Sequence, residues 1–149
     1  MTKIHDVTIL LAEDDPGHAR LIEKNLRRSN ITNNIIHVAN GQQALDYLFG
    51  EGEYAEAGNK QAMPLFVLLD LNMPVLDGYQ VLKRMKADER TRRIPVVVLT
   101  TTDDLREVSR CYDLGCNAYV TKPVDYERLS EAIRKLGLFL TVVTVPNGE

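Results

Sequence analysis

Two hydrophobic patterns alternate along the chain. Short uninterrupted runs of Val, Ile and Leu are typical of strands buried on both faces of a parallel sheet. Between them, apolar residues recur every three or four positions, as on the inner face of an amphipathic helix. The short runs predict five strands, at residues 7–12, 35–38, 65–69, 96–100 and 118–120.

Each predicted strand is followed by a predicted helix. The clearest helical spacing is the last, which is formed by Leu129, Ile133, Leu136, Leu140 and Val143. Alternation of this kind requires parallel strands joined by right-handed crossovers, and five units are too few for an eight-unit barrel. The sequence therefore predicts an α/β fold, an open doubly wound five-stranded parallel sheet with helices on both faces.

Two segments depart from this pattern. Residues 50–63 are polar and contain glycine, which predicts a surface loop with a helical turn. Residues 138–144 continue the apolar spacing of the last helix and are predicted to extend it. A short β-branched strand or tail is the alternative there.

Composition limits the classes of function. The chain has 149 residues, is 44% hydrophobic and carries a net charge of -3, which favours one globular domain without a basic surface for nucleic acid or membranes. No apolar stretch reaches the roughly 20 residues of a membrane helix, and the N-terminus lacks the core of a secretory signal. A cytoplasmic protein is expected, with Cys111 and Cys116 as reduced packing thiols.

Reactive side chains follow four of the five predicted strands. Because the carboxyl ends of parallel strands share one edge of the sheet, these side chains are expected to meet there. They are Glu13, Asp14 and Asp15 after the first strand, Asp70 after the third, Thr100 at the end of the fourth and Lys122 after the fifth. Asp15 directly precedes Pro16 and is better explained as a helix N-cap.

This set of side chains points to phosphoryl transfer. Carboxylates so close together repel one another unless a cation compensates, and incomplete oxygen coordination favours Mg²⁺. Asp70 could then act as a nucleophile and become an acyl phosphate. The metal and Lys122 would offset the charge of the transferred group, and the Thr100 hydroxyl could donate to a phosphoryl oxygen.

Other site types fail on spacing. A calcium loop beginning at Asp70 would lack its required glycine and glutamate, and neither GxxxxGK[ST] nor GxGxxG occurs. His5, His18 and His37 have neither metal-ligand nor catalytic-triad spacing, so each is expected to be a surface residue.

Four motifs, "ILLAEDD", "LLDLNMPVLDGY", "PVVVLTTTDD" and "GCNAYVTKP", together resemble the receiver domain of bacterial two-component response regulators, the CheY-like family. The resemblance covers about residues 6–137 of a single domain at 1–149 and leaves 138–149 as a C-terminal extension. It implies that Asp70 accepts phosphate from a sensor histidine kinase. It also implies a signalling switch rather than an enzyme, with self-catalysed phosphotransfer and autodephosphorylation only.

The resemblance also implies the metal ligands. Asp14 and Asp70 would bind Mg²⁺ directly, the backbone carbonyl of Asn72 would complete the protein ligands, and Glu13 would act through a water molecule.

The remaining roles carried over by the resemblance concern the switch. Thr100 would be the hydroxyl switch, Tyr119 the aromatic switch and Lys122 the phosphoryl-binding lysine. The peptide bond before Pro123 is commonly cis in this family. Phosphorylation is expected to change the face made by helix four, strand five and helix five.

The long connection before strand three, the "GEYA" within it and the ending "LFLTVVTVP" resemble the stand-alone receivers that partner cyanobacterial and bacterial phytochromes. A phytochrome-type kinase and a homodimer are therefore expected, with the dimer burying Phe139, Leu140, Val142 and Val143 of the extension. Only twelve residues follow Gly137, so no DNA-binding domain, direct nucleic-acid contact or membrane contact is expected.

Three alternatives are weaker. A phosphoaspartyl phosphatase needs an acid/base two residues after its nucleophile, and that position is Asn72, which cannot transfer a proton. A receiver-like interaction module that never takes phosphate is disfavoured because all the expected site residues are present. A flavin binder is disfavoured because Glu13, Asp14 and Asp15 would repel the flavin phosphate.

Overall fold

The computed structural model describes residues 8–57, 64–102, 104–122 and 125–135. The strands are β1 (Thr8–Ala12), β2 (Asn34–Val38), β3 (Pro64–Asp70), β4 (Val96–Thr100) and β5 (Ala118–Thr121). The α-helices are α1 (Pro16–Arg28), α2 (Gly41–Phe49), α3 (Gly78–Ala87), α4 (Leu105–Asp113) and α5 (Tyr126–Lys135). A 3₁₀ helix at Gly52–Ala57 lies between α2 and β3.

The five strands form one parallel sheet in the order β2-β1-β3-β4-β5. This confirms the predicted doubly wound sheet. The strand order reverses between β1 and β3, so the loops that follow these two strands leave toward opposite sides of the sheet. Ligand sites of open α/β sheets lie in the crevice at this reversal.

Side chains alternate along each strand, so each strand contributes apolar residues to both faces of the sheet. Helices cover both faces and bury these residues. One face carries Ile9, Leu11, Phe66 and Leu68 and packs against α1 and α5. The other carries Leu10, Val67, Leu69 and Val98 and packs against α2, α3 and the buried Cys111 of α4. Both faces of the central strands are apolar, which explains why the strands appear in the sequence as continuous hydrophobic runs.

Side-chain caps fix where the helices begin. Asp15 caps α1, with its Oδ1 accepting from the amides of Gly17 at 2.8 Å and His18 at 3.1 Å, and Pro16 occupies the first turn. Asp77 and Gln80 form a reciprocal capping box at the start of α3. The N-cap interpretation of Asp15 is therefore confirmed, and the cap holds the chain directly after the acidic end of β1.

Strand boundaries agree with the sequence-based prediction to within a residue or two. β3 continues one residue further than predicted, through Asp70, because the Leu71 amide donates to the carbonyl of Leu99 at 3.1 Å and prolongs the ladder with β4. Asp70 is therefore the last residue of the strand rather than the first of the loop.

The connection predicted as a surface loop contains a 3₁₀ helix, Gly52–Ala57. Tyr54 of this helix packs edge-to-face on Tyr47 of α2, with the ring centroids 5.1 Å apart. Several predictions fall outside the described residues. These are the start of β1 at position 7, residues 58–63, the peptide before Pro123, and the helical continuation and dimer contacts of residues 136–149.

Cys111 and Cys116 are buried free thiols, as predicted. Burial raises the pKa of Cys116 to about 12, which keeps the thiol protonated and unreactive at neutral pH. Within the described ranges, no helix has both the length and the apolar character needed to cross a bilayer.

Candidate functional site

Asp70 lies at the carboxyl end of β3 with only 1% of its surface exposed. Its Oδ1 accepts from the Asn72 amide at 3.1 Å, and its Oδ2 accepts from the Lys122 ammonium at 3.2 Å. These two bonds and the buried strand behind it hold the carboxylate in one orientation at the edge of the sheet.

The acidic end of β1 lies beside Asp70. Glu13 is fully buried, whereas Asp14 is exposed. Oxygen atoms of Glu13, Asp14 and Asp70 all lie within 4.8 Å of one another. Three carboxylates at this separation match the hard oxygen ligands that divalent cations prefer.

Lys122 brings the compensating charge to this cluster. Its side chain is 6% exposed, and its Nζ lies 3.0 and 3.1 Å from the two carboxylate oxygens of Glu13, besides its contact with Asp70. Burial acts to lower the pKa of Lys122, but the hydrogen bond to Glu13 and the charges of Asp70 and Glu13 outweigh burial and raise it. One ammonium faces three carboxylates, so the cluster retains negative charge that a cation can neutralise.

Two further properties of the carboxylates fit a cation at this position. Burial is the main cause that raises the pKa of Asp70 to about 7, and the charge of Glu13 adds to it, while the Asn72 amide and Lys122 oppose the rise. The buried Oε1 of Glu13 has Nζ of Lys122, at 3.0 Å, as its one close polar partner among the described residues. A carboxylate oxygen with a single partner can accept a further contact, and a carboxylate that ionises with difficulty is stabilised in its charged form by a bound divalent cation.

The loop behind Asp70 is held in a strained turn. The Leu76 amide donates to the Pro74 carbonyl at 2.8 Å across Val75, whose φ is +70°. This is a γ-turn of the positive-φ form, which is rare and costly for a β-branched residue. A Cβ on Gly78 would lie 2.5 Å from the Asp70 carbonyl oxygen, so only glycine lets α3 begin this close to β3.

The two residues assigned to switching lie beside the cluster without joining it. Thr100 is 3% exposed, and its Oγ1 accepts from the Thr102 amide at 3.1 Å. The half-buried ring of Tyr119 packs edge-to-face on Tyr112, with the centroids 6.1 Å apart. A narrow gap lined by both Thr100 and Tyr119, together with Val108, separates β4 from α4.

Two histidines expected at the surface prove to lie against the acidic end of β1. His37 of β2 is exposed, but its Nε2 lies 2.7 Å from the Glu13 carbonyl oxygen. His18 of α1 is partly buried, with its Nδ1 4.0 Å from Glu13 Oε2. Neither contact has a spacing signature in the sequence. The only hint for His37 was its position near the end of the second predicted strand.

The fold and this cluster define a class of protein, the α/β signalling domains with an acidic phosphoacceptor site at the sheet edge. The family model described as the response regulator receiver domain matches residues 9–134. The chain belongs to the response regulator receiver domain family, and it is a phosphoacceptor response regulator of two-component signalling.

Similar proteins cover nearly the whole chain. Response regulator Rcp1 of Synechocystis sp. (strain ATCC 27184 / PCC 6803 / Kazusa) is 37% identical over 139 residues, which are 93% of this chain and 92% of Rcp1. The solved structure of the bacteriophytochrome response regulator RtBRR is 40% identical, with a TM-score of 0.83 over 98% of this chain and 84% of its own. A response regulator receiver domain from Rhodospirillum rubrum is 55% identical, with a TM-score of 0.72 over 96% and 99%.

Proposed function

We propose that Asp70 is the phosphoacceptor and that its phosphorylation depends on Mg²⁺. Asp14, Asp70 and the backbone carbonyl of Asn72 would hold the metal, with Glu13 reaching it through a water molecule. The observation that carries the proposal is the triad of carboxylate oxygens within 4.8 Å, bridged by a buried lysine. A solved structure of the relative Rcp1 is described as its Mn²⁺-bound form, which supports a divalent cation at this position.

In the transfer, a carboxylate oxygen of Asp70 attacks the phosphorus of a phosphohistidine in the kinase. The P–O bond forms as the P–N bond breaks, and the histidine imidazole leaves with the electron pair. Bound Mg²⁺ would neutralise charge on the phosphoryl oxygens. Lys122, already 3.2 Å from Asp70, would donate to a phosphoryl oxygen. The nucleophile, this lysine and the protein ligands of the metal all belong to this chain, so the transfer would be self-catalysed.

The proposed switch begins at Thr100. Its hydroxyl now accepts from the Thr102 amide, and it would rotate to donate to the new phosphoryl group. Tyr119 would then move into the gap that it shares with Thr100 and Val108. This exchange would change the face made by α4, β5 and α5 and so bias partner binding.

The proposed phosphate donor is a sensor histidine kinase of the phytochrome type. Three similar structures support this choice by their descriptions: the bacteriophytochrome response regulators RtBRR and AtBRR, and the phosphorylated cyanobacterial phytochrome response regulator RcpA. The likeness to them covers 98%, 89% and 96% of this chain.

The first test is acetyl phosphate with Mg²⁺, followed by the intact mass of the protein. We expect one phosphoryl adduct on the wild type and none on Asp70→Asn, because the amide is not a nucleophile. Asp77→Asn is the matched control, since Asp77 lies in the same loop but caps α3, and asparagine is also a good N-cap. An undiminished adduct on Asp70→Asn, or none on the wild type, contradicts the proposal.

We further propose that the protein forms a homodimer through the C-terminal extension. The apolar residues of the extension support this, as do Leu105 and Tyr112 of α4, which are 78% and 44% exposed. Sedimentation velocity with and without beryllofluoride should show a dimer in at least one state. Deleting residues 138–149 should convert it to a monomer, and a wild type that is monomeric in both states would contradict the proposal.

A further inference from the structure

The main chain of Glu13 is held from β2 at both its amide and its carbonyl, and the carbonyl belongs to the peptide that joins Glu13 to Asp14. The Glu13 amide donates to the carbonyl of Val38 at 3.0 Å. The Glu13 carbonyl accepts from Nε2 of His37 at 2.7 Å. Because a carbonyl oxygen can only accept, Nε2 must carry the hydrogen. The first contact continues the sheet ladder, whereas the second is a side-chain tether beyond the end of the ladder.

The tethered carbonyl lies between the two acidic residues. The peptide unit is planar, so the direction of the Glu13 carbonyl also sets the position of the Asp14 amide and Cα. Glu13 is anchored by burial and by Lys122, but Asp14 is exposed and receives no support from burial. The orientation of this peptide therefore controls where the Asp14 carboxylate lies relative to Asp70.

We propose that His37 is a positioning residue for the metal site, acting through the Glu13 carbonyl to hold the Asp14 carboxylate in place. The inference rests on the proposed function, since it gives Asp14 a role as metal ligand. His37 does not reach the metal or the phosphoryl group itself. Groups that orient metal ligands from behind strongly affect affinity, because a displaced ligand must be reordered when the metal binds.

A simpler explanation is that His37 only stabilises β2, which is at the edge of the sheet and pairs with β1 alone among the described strands. Three variants separate the two roles. His37→Leu keeps the bulk and removes the donor, and His37→Gln restores an N–H donor of similar reach. Asn34→Ala changes an exposed residue at the other end of β2, opposite Thr8, and leaves the tether intact.

The measurement is the dissociation constant for Mg²⁺ alone, by titration calorimetry, together with thermal unfolding of each metal-free variant. We expect His37→Leu to weaken Mg²⁺ binding about fivefold, since one hydrogen bond and its ordering are lost. His37→Gln should recover most of the affinity, and Asn34→Ala should bind as the wild type does.

Three results would contradict the positioning role of His37. They are unchanged Mg²⁺ affinity in His37→Leu, a loss of Mg²⁺ affinity in His37→Gln equal to that in His37→Leu, and an equal loss of Mg²⁺ affinity in Asn34→Ala. A wild type that binds no Mg²⁺ would instead contradict the proposed function itself. The two failures are therefore distinguishable in the same experiment.

Discussion

Lys122→Met should destabilise the metal-free protein by about 3 kcal/mol, and Mg²⁺ should restore most of that loss. Methionine has a similar length and volume but no charge. The substitution would leave the buried carboxylates of Glu13 and Asp70 without the ammonium that now lies 3.0–3.2 Å from them. Removing one partner of a buried ion pair costs far more than the pair itself contributes, because the remaining charge stays desolvated.

Urea unfolding at pH 8 would measure this effect, once in EDTA and once in excess Mg²⁺. The difference in free energy of unfolding between wild type and Lys122→Met should fall to about 1 kcal/mol in excess Mg²⁺, because a divalent cation among the carboxylates replaces the missing charge. The expected result is therefore that the stability lost in Lys122→Met depends on Mg²⁺, and not only that stability is lost.

Lys86→Met is the matched control. Lys86 is also partly buried, but its Nζ donates to the carbonyls of Arg92 and Ile94, and no carboxylate in the described part of the chain forms an ion pair with it. Its replacement should destabilise the protein equally in EDTA and in Mg²⁺. If the loss in Lys122→Met were likewise independent of Mg²⁺, the carboxylates would not form a metal site that shares charge with this lysine.

The five strands and their parallel arrangement could be predicted because their signals are local. The run that ends at Leu69 has apolar residues at consecutive positions, so both faces of the strand are apolar. Such a pattern is typical of a strand that helices cover on both sides. The acidic and basic residues that follow such runs must then meet at one edge. The cluster of Glu13, Asp14, Asp70 and Lys122 could therefore be anticipated from strand ends alone, and the structure brings these side chains together.

Other features depend on distances between separate elements, which no local pattern contains. The tether from His37 to the Glu13 carbonyl requires the register of β2 against β1. The positive φ of Val75 has no residue-type signal, since valine disfavours that conformation, and it occurs in the turn closed by the bond from the Leu76 amide to the Pro74 carbonyl. The edge-to-face contact between Tyr47 and Tyr54 likewise arises when the 3₁₀ helix folds back on α2.

Two of the three carboxylates in the cluster also show what the sequence leaves undecided. Glu13 and Asp14 are adjacent and both acidic, yet one is fully buried against Lys122 and the other is exposed. The alternation of side chains at the end of β1 separates them.

Asp70→Asn should stabilise the metal-free protein at pH 8, although it abolishes phosphorylation. Burial is the main reason why the pKa of Asp70 rises to about 7 from its ordinary 3.8. The folded state therefore binds this proton more tightly than the unfolded state, and stability falls as pH rises from about 4 to about 7. Asparagine does not ionise, so it avoids this cost, which is on the order of 4 kcal/mol above pH 7.

The test is urea unfolding in EDTA at several pH values from 4.5 to 8. The advantage of Asp70→Asn should be small at the acid end, grow toward pH 7 and stay constant above it. Asp88→Asn is the control of opposite sign, because hydrogen bonds from Arg90 lower the pKa of the partly exposed Asp88 to about 2, so its removal should not stabilise the protein at pH 8. Saturating Mg²⁺ should reverse the order of wild type and Asp70→Asn, since only the carboxylate is a good ligand. A pH-independent difference in EDTA, or a less stable Asp70→Asn at pH 8, would show that the buried Asp70 carboxylate is already compensated without metal.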